Sequence, residues 1–184
     1  MADFVYYVAT SLDGFIATDD DSLDWLMQFD SPELNQSIST FMASVGSIVM
    51  GASTFQWLRE HDDGTWPYAG TPCWVFTHHE FSAPPGADVT FVRGPVAEFV
   101  PDLAAEAGDK NVWLMGGGDI VAQFAQAGAL NKIIQTVVPV ALGSGRRMLP
   151  LVTPTPVLAL DSSRTVGGGA VEMCFSFPDT PAES

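Results

Sequence analysis

Short runs of consecutive apolar residues, each closed by glycine or a polar break, alternate along this chain with stretches whose apolar residues recur every three or four positions. The first pattern belongs to strands buried on both faces, the second to amphipathic helices. Phe4 to Ala9 opens as a strand and breaks at Thr10-Ser11-Leu12-Asp13-Gly14. Ser31, Pro32 and Glu33 then supply an N-cap, a first-turn proline and an acid at the positive end of the dipole, which predicts a helix start. Leu34, Ile38, Phe41, Met42 and Val45 fall on one helical face and predict a stripe turned to the core. Ser47 to Met50 is the next buried strand, ending at Gly51, and a second helix opens at Ala52-Ser53-Thr54.

The same unit recurs later. Asn111 to Met115 predicts a buried strand, Gly116-Gly117-Gly118 a turn, and Asp119 onwards a helix. Between the two units lie strands at Cys73 to Thr77 and Val89 to Val92, separated by Pro84-Pro85-Gly86. A helical stretch from about Val96 to Ala107 contains Pro101, where the helix either kinks or begins. Lys132 to Val138 adds a strand, and Pro156 to Asp161 with Ala170 to Phe177 predict an antiparallel hairpin joined through Gly167-Gly168-Gly169. The order β-α-β-α-β-β-α-β-α-β-β-β implies one α/β domain over residues 1–184. Its mostly parallel sheet of about eight strands carries helices on both faces and an antiparallel C-terminal edge. Ligands of such sheets bind at the carboxyl ends of the strands, where Gly51, Thr77 and Gly116 sit.

Charge narrows the partners. The 184 residues carry Lys+Arg 7 against Asp+Glu 22, a formal net charge of −15, with 47% hydrophobic residues. A folded core is expected, while nucleic acid and anionic membranes are excluded as partners because gripping a phosphate backbone needs a broad basic surface. A small anion remains open, since helix N-termini hold phosphate without a basic patch. The acidic run Asp19-Asp20-Asp21 reads as a solvated loop tip, and no metal site is expected. Two cysteines, no basic n-region and no long apolar run imply a reduced, cytoplasmic setting.

The glycine junctions carry the candidate chemistry. Gly116-Gly117-Gly118-Asp119 lets backbone approach a ligand at a helix N-terminus, although it is not a Rossmann fingerprint, because position 121 is Val121. The second junction, Gly51 to Thr54, offers another anion point, and two such points suit a dinucleotide. Thr77, His78 and His79 could bond a 2′-phosphate and favour NADPH over NADH, the alternative being that the histidine pair is an exposed loop without a ligand. Neither G-x-S-x-G nor H-E-x-x-H is present.

Ser11-Leu12-Asp13-Gly14-Phe15-Ile16-Ala17, Asp21-Ser22-Leu23-Asp24-Trp25-Leu26, Ile48 to Phe55, Trp113 to Gly118 and Val138 to Gly143 together resemble the dihydrofolate reductase-like superfamily. Within it they resemble the RibD C-terminal domain family, the reductase domain of riboflavin biosynthesis, over about residues 3–177. The resemblance implies a three-layer α-β-α fold and NADPH-dependent hydride transfer to a small pyrimidine-like substrate, as in 5-amino-6-(5-phosphoribosylamino)uracil reduction. It places Ala9 and Thr10 near the nicotinamide, and Gly51, Ala52, Ser53 and Thr54 at phosphate. Thr77 and His78 fall at the adenosine end, and Gly116, Gly117, Gly118, Asp119 and Ile120 at the pyrophosphate and nicotinamide ribose. A cis peptide at Gly116-Gly117 is implied as well.

Asp24, Trp25 and Thr136 would meet the substrate. Asp13 is the candidate proton source, its alternative being a turn aspartate bonded locally. Arg146 and Arg147 are either contacts for an anionic substrate or an exposed loop pair. Two departures stand out: the long helix offers only Glu33 or Asn35 where folate enzymes carry their acid, and the slot of the arginine that grips the 2′-phosphate reads Ala52-Ser53. Dihydrofolate reduction and a silent nucleotide-binding module are the rival readings. Related stand-alone domains pair through their C-terminal strands, which implies a homodimer through Val157 to Phe177.

Overall fold

A computed structural model describes residues 2–61 and 64–178. Its strands, in chain order, are β1 (Phe4–Thr10), β2 (Phe15–Ala17), β3 (Val45–Gly51), β4 (Cys73–Phe76), β5 (Val89–Val92), β6 (Asn111–Gly116), β7 (Lys132–Val137), β8 (Arg146–Arg147), β9 (Ala159–Thr165) and β10 (Val171–Ser176). The helices are α1 (Asp24–Met27), α2 (Pro32–Ala43), α3 (Ala52–Glu60), α4 (Val100–Ala107) and α5 (Gly118–Gln126). One eight-stranded sheet runs β5-β4-β3-β6-β1-β7-β10-β9, and β2 pairs with β8 in a separate ribbon. Neighbours from β5 through β7 are parallel, while β10 lies antiparallel to both β7 and β9.

Burial explains the strand pattern. Ile48, Val49 and Met50 of β3 are all fully buried, because helices cover both faces of the sheet. Val49, Leu114 and Tyr6 pack under α4 and α5 with Leu103, Val121 and Phe124. Ile48, Met50 and Val5 pack on the opposite face with Phe41 of α2 and Phe55 of α3. Alternate residues of one strand thus feed two cores, which makes the three-layer arrangement. Where α4 crosses β3 the approach is so close that a Cβ on Gly46 would overlap the Ala107 carbonyl. Among the described residues no helix is long and apolar enough to cross a membrane.

Several expectations shift at the element ends. The α2 stripe holds for Phe41, but Ile38 is 40% exposed, and Val45 already belongs to β3. The helix stops at Ser44, whose hydroxyl donates to the Phe41 carbonyl. Pro101 stands in the first turn of α4, so the helix begins there and does not kink. The penultimate strand is β9 at Ala159–Thr165, displaced from Pro156 to Asp161; every one of its residues is exposed, so no hydrophobic pattern marked it. The short β2, β8 and α1 carry too few residues for a period to show.

Candidate functional site

Because β1, β3, β4, β5, β6 and β7 run parallel, their carboxyl ends share one edge of the sheet, and a cleft of ≈1740 Å³ opens there. Gly51 ends β3 beside Phe76 of β4, and Met50 pairs with Gly116 of β6. The two helices that leave this edge both start from glycine: Gly51 caps α3, Gly117 caps α5, and neither cap makes a side-chain hydrogen bond. In α2, by contrast, the Ser31 hydroxyl accepts from the Leu34 N–H at 3.1 Å. Four N–H groups at each helix start have no intrahelical partner, so α3 and α5 point two sets of free donors at one cleft. A Cβ on Gly117 would meet nothing within 4 Å, and on Gly51 its nearest neighbour would be the Gly116 carbonyl at 3.9 Å. Bare backbone therefore faces open space, a cradle that suits a pyrophosphate. The Gly116-Gly117 peptide is cis, as the resemblance implied.

Part of the remaining wall is aromatic and apolar. Tyr7, Trp57, Tyr68 and Trp113 line the cleft with Leu26 and Met115. Trp113 donates its indole N–H to the Tyr7 carbonyl at 3.2 Å, and the Tyr7 ring stacks on Phe41 at 4.5 Å. Burial pushes the Tyr68 hydroxyl up to about 12 and raises that of Tyr7, so both stay protonated. Behind this wall, on the face of α2, the Tyr7 and Ser37 hydroxyls both donate to the Glu172 carboxylate, and Arg164 closes on that carboxylate at 2.6 and 2.9 Å. A buried acid thus meets α2 from β10, not from the helix itself. No helical period could have revealed it, since Ser37 and Glu172 lie 135 residues apart.

The sequence-derived site residues divide in two. Ala9, Gly51, Ala52, Ser53, Thr54, Thr77, His78, Gly117, Gly118, Asp119, Ile120 and Asp24 line the cleft. Gly116 is buried just behind it. Thr10 is fully buried, its hydroxyl accepting from the Gln135 amide at 2.8 Å, and Thr136 is buried between Ala9 and Glu172. Trp25 turns inward against Val138, Val166 and Ala170, so it belongs to a core and not to a pocket wall.

Asp13 lies outside the cleft, in a smaller cavity with Phe15 and Met148. Its carboxylate accepts from the Ser11 hydroxyl at 2.6 Å and from the Leu142 and Gly143 N–H groups at 3.0 and 2.7 Å. Those bonds hold its pKa down at about 2, the Ser11 bond contributing most. Bonded in this way and set outside the cleft, Asp13 has the geometry of a turn aspartate bonded locally, the alternative to a proton source.

Three arginines reach the cleft. Arg146 is taken by a bidentate pair with Asp21 at 2.7 and 3.1 Å. The side chains of Arg93, just past β5, and of Arg147 have no hydrogen-bond or ion-pair partner among the described residues. The sequence reading passed over Arg93, Tyr7, Trp57, Tyr68 and Trp113. Arg93 alone had a signal, its place directly after a predicted strand.

The sheet order and the edge cleft define an α/β protein of the dihydrofolate reductase-like class. The profile of the RibD C-terminal domain family matches residues 58–171, and the chain belongs to that family. It is 34% identical over 163 residues to the uncharacterized protein YwjB of Bacillus subtilis, covering 89% of this chain and 91% of that one. A solved Shewanella sp. PV-4 protein, assigned provisionally to riboflavin biosynthesis, is 27% identical with a TM-score of 0.81, over 96% of this chain and 98% of its own. The Thermotoga maritima diaminohydroxyphosphoribosylaminopyrimidine deaminase/5-amino-6-(5-phosphoribosylamino)uracil reductase shares the fold at 14% identity and a TM-score of 0.70. The match covers 96% of this chain and 57% of that longer protein. The fold is therefore that of the riboflavin-pathway reductases.

Proposed function

We propose that the protein is an NADPH-dependent reductase that passes hydride to a small pyrimidine-like substrate, as in 5-amino-6-(5-phosphoribosylamino)uracil reduction. The observation that carries this is the pair of glycine-started, uncapped helices α3 and α5 opening on one cleft. In this reading the first turns of α3 and α5 receive the phosphates, Thr77 and His78 flank the adenosine, and Ala9 lies beside the nicotinamide. When bound, the nucleotide supplies the hydride. Trp57, Tyr68 and Trp113 offer flat surfaces for a heterocycle and keep water from its faces. With Asp13 held ionised, the accompanying proton comes from water at the cleft mouth, a route that needs no buried acid.

Trp57 and Trp113 make the test direct, since a nucleotide in the cleft quenches their fluorescence. Micromolar NADPH binding, followed by loss of reduced-nucleotide absorbance on adding the phosphoribosylamino pyrimidine, is expected. Oxidation with dihydrofolate alone would move the substrate to pterins. Binding with no oxidation by either would favour a silent nucleotide-binding module, and no binding at all would sink the cofactor assignment.

We further propose that the protein works as a homodimer in the cytoplasm. Every residue of β9 at the sheet edge is exposed, including Leu160 at 57%, and Val157 just before it is 94% exposed, which leaves strand and apolar surface for a second copy. The two cysteines are free thiols, as a reducing compartment keeps them.

A further inference from the structure

In a chain with 22 acids and 7 bases, an arginine left without a carboxylate is conspicuous. Arg59 donates to the Ser82 carbonyl at 2.8 Å, and Lys132, Arg146 and Arg164 are paired with Asp3, Asp21 and Glu172. Lys110 precedes β6, at the amino end of the sheet and away from the cleft. Arg93 and Arg147 remain, both cleft-lining and unpaired among the described residues. They occupy different ends. The Arg147 backbone packs on Gly118 at the start of α5, just after β6, whereas Arg93 leaves β5, three strand spacings from β6 and so roughly 14 Å away along the edge.

The backbone sets what Arg93 can reach. The Thr77 N–H donates to the Val92 carbonyl at 3.0 Å, so Thr77-His78 and Arg93-Gly94 leave the sheet side by side. The Thr77 hydroxyl accepts from the His79 N–H at 2.9 Å, fixing that turn, and both segments line the cleft. Ala52 and Ser53, at the end of the neighbouring β3, bring no charge.

We propose that Arg93 is the residue that distinguishes NADPH from NADH, its guanidinium receiving the 2′-phosphate beside Thr77 and His78. The proposal rests on the reading of the cleft as an NADPH site, and it moves the discriminating cation from the start of α3 to the end of β5. A planar fork suits a phosphate dianion that NADH lacks, and no carboxylate of the described residues competes for it.

The test is a Trp-fluorescence titration of the full chain with NADPH and NADH, for the wild type, Arg93→Gln, Arg93→Lys and Lys110→Gln. Charge-assisted phosphate bonds lead us to expect that R93Q weakens NADPH about thirtyfold and leaves NADH within about twofold. R93K should fall between, while K110Q, an equal charge loss at the far edge, should change neither. Equal weakening of both nucleotides by R93Q, or none, overturns the role of Arg93 while leaving the cofactor site intact. If the wild type binds neither nucleotide, the cofactor reading itself has failed and this proposal falls with it.

Discussion

Single side chains in this protein are tied down in ways that make their roles separable. Asp13 is ionised and exposed, and its ordinary value of 3.8 is lowered to about 2 by Ser11, Leu142 and Gly143. A carboxylate depressed on folding adds stability that is fully present above its unfolded value and lost as pH falls through the folded one. The stability gap between wild type and Asp13→Asn should therefore be constant from neutral pH down to about 4 and close as pH approaches about 2, read by denaturant melts across pH. NADPH oxidation by D13N should persist near neutral pH if Asp13 is a clamp. Abolished turnover in a folded D13N protein would restore it as a catalytic group.

The Arg164–Glu172 pair makes an asymmetric prediction, because the arginine side chain is 54% exposed and the glutamate 10%. Arg164→Ala leaves a nearly buried carboxylate without its cation and should cost about 2–3 kcal/mol in urea unfolding, a value reduced for the exposure of the arginine. Glu172→Gln lets the guanidinium return to water and should cost only about 1 kcal/mol.

At the level of elements, two glycines of one cleft should respond oppositely to alanine. A Cβ on Gly118 would run into the Arg147 and Met148 carbonyl oxygens, backbone atoms that cannot swing away. Gly118→Ala should cost about 3 kcal/mol and part α5 from β8. Gly51 has an ordinary φ of −87° and nothing closer than 3.9 Å, so Gly51→Ala should keep stability within about 0.5 kcal/mol. Its methyl would nonetheless project where backbone is proposed to meet phosphate, and NADPH affinity should drop about tenfold. Unchanged affinity in the folded variant would mean the phosphate lies elsewhere. Elements with a strong local signal were readable from the chain. The Ser31 cap, Pro32 and the apolar runs of β3 and β6 announced themselves, whereas β9, exposed throughout, had only its pairing with β10 to define it.

For the whole molecule, light scattering should give twice the mass of one chain. Val157→Asp with Leu160→Asp should yield a monomer of nearly unchanged stability, because both side chains are already exposed in the single chain. A monomeric wild type would remove the dimer proposal.

The sequence by itself determined the layer order, the parallel sheet with its antiparallel edge and the two glycine junctions, since buried runs, caps and glycine turns are local consequences of backbone sterics and burial. Only the tertiary structure decided that Asp13 clamps a loop, that Trp25 faces a core, that Glu172 reaches Ser37 across 135 residues, and that Arg93 stands unpaired beside Thr77. Each of these depends on which distant segments the sheet order brings together, and a contact between segments far apart in the chain leaves no periodic trace in either one.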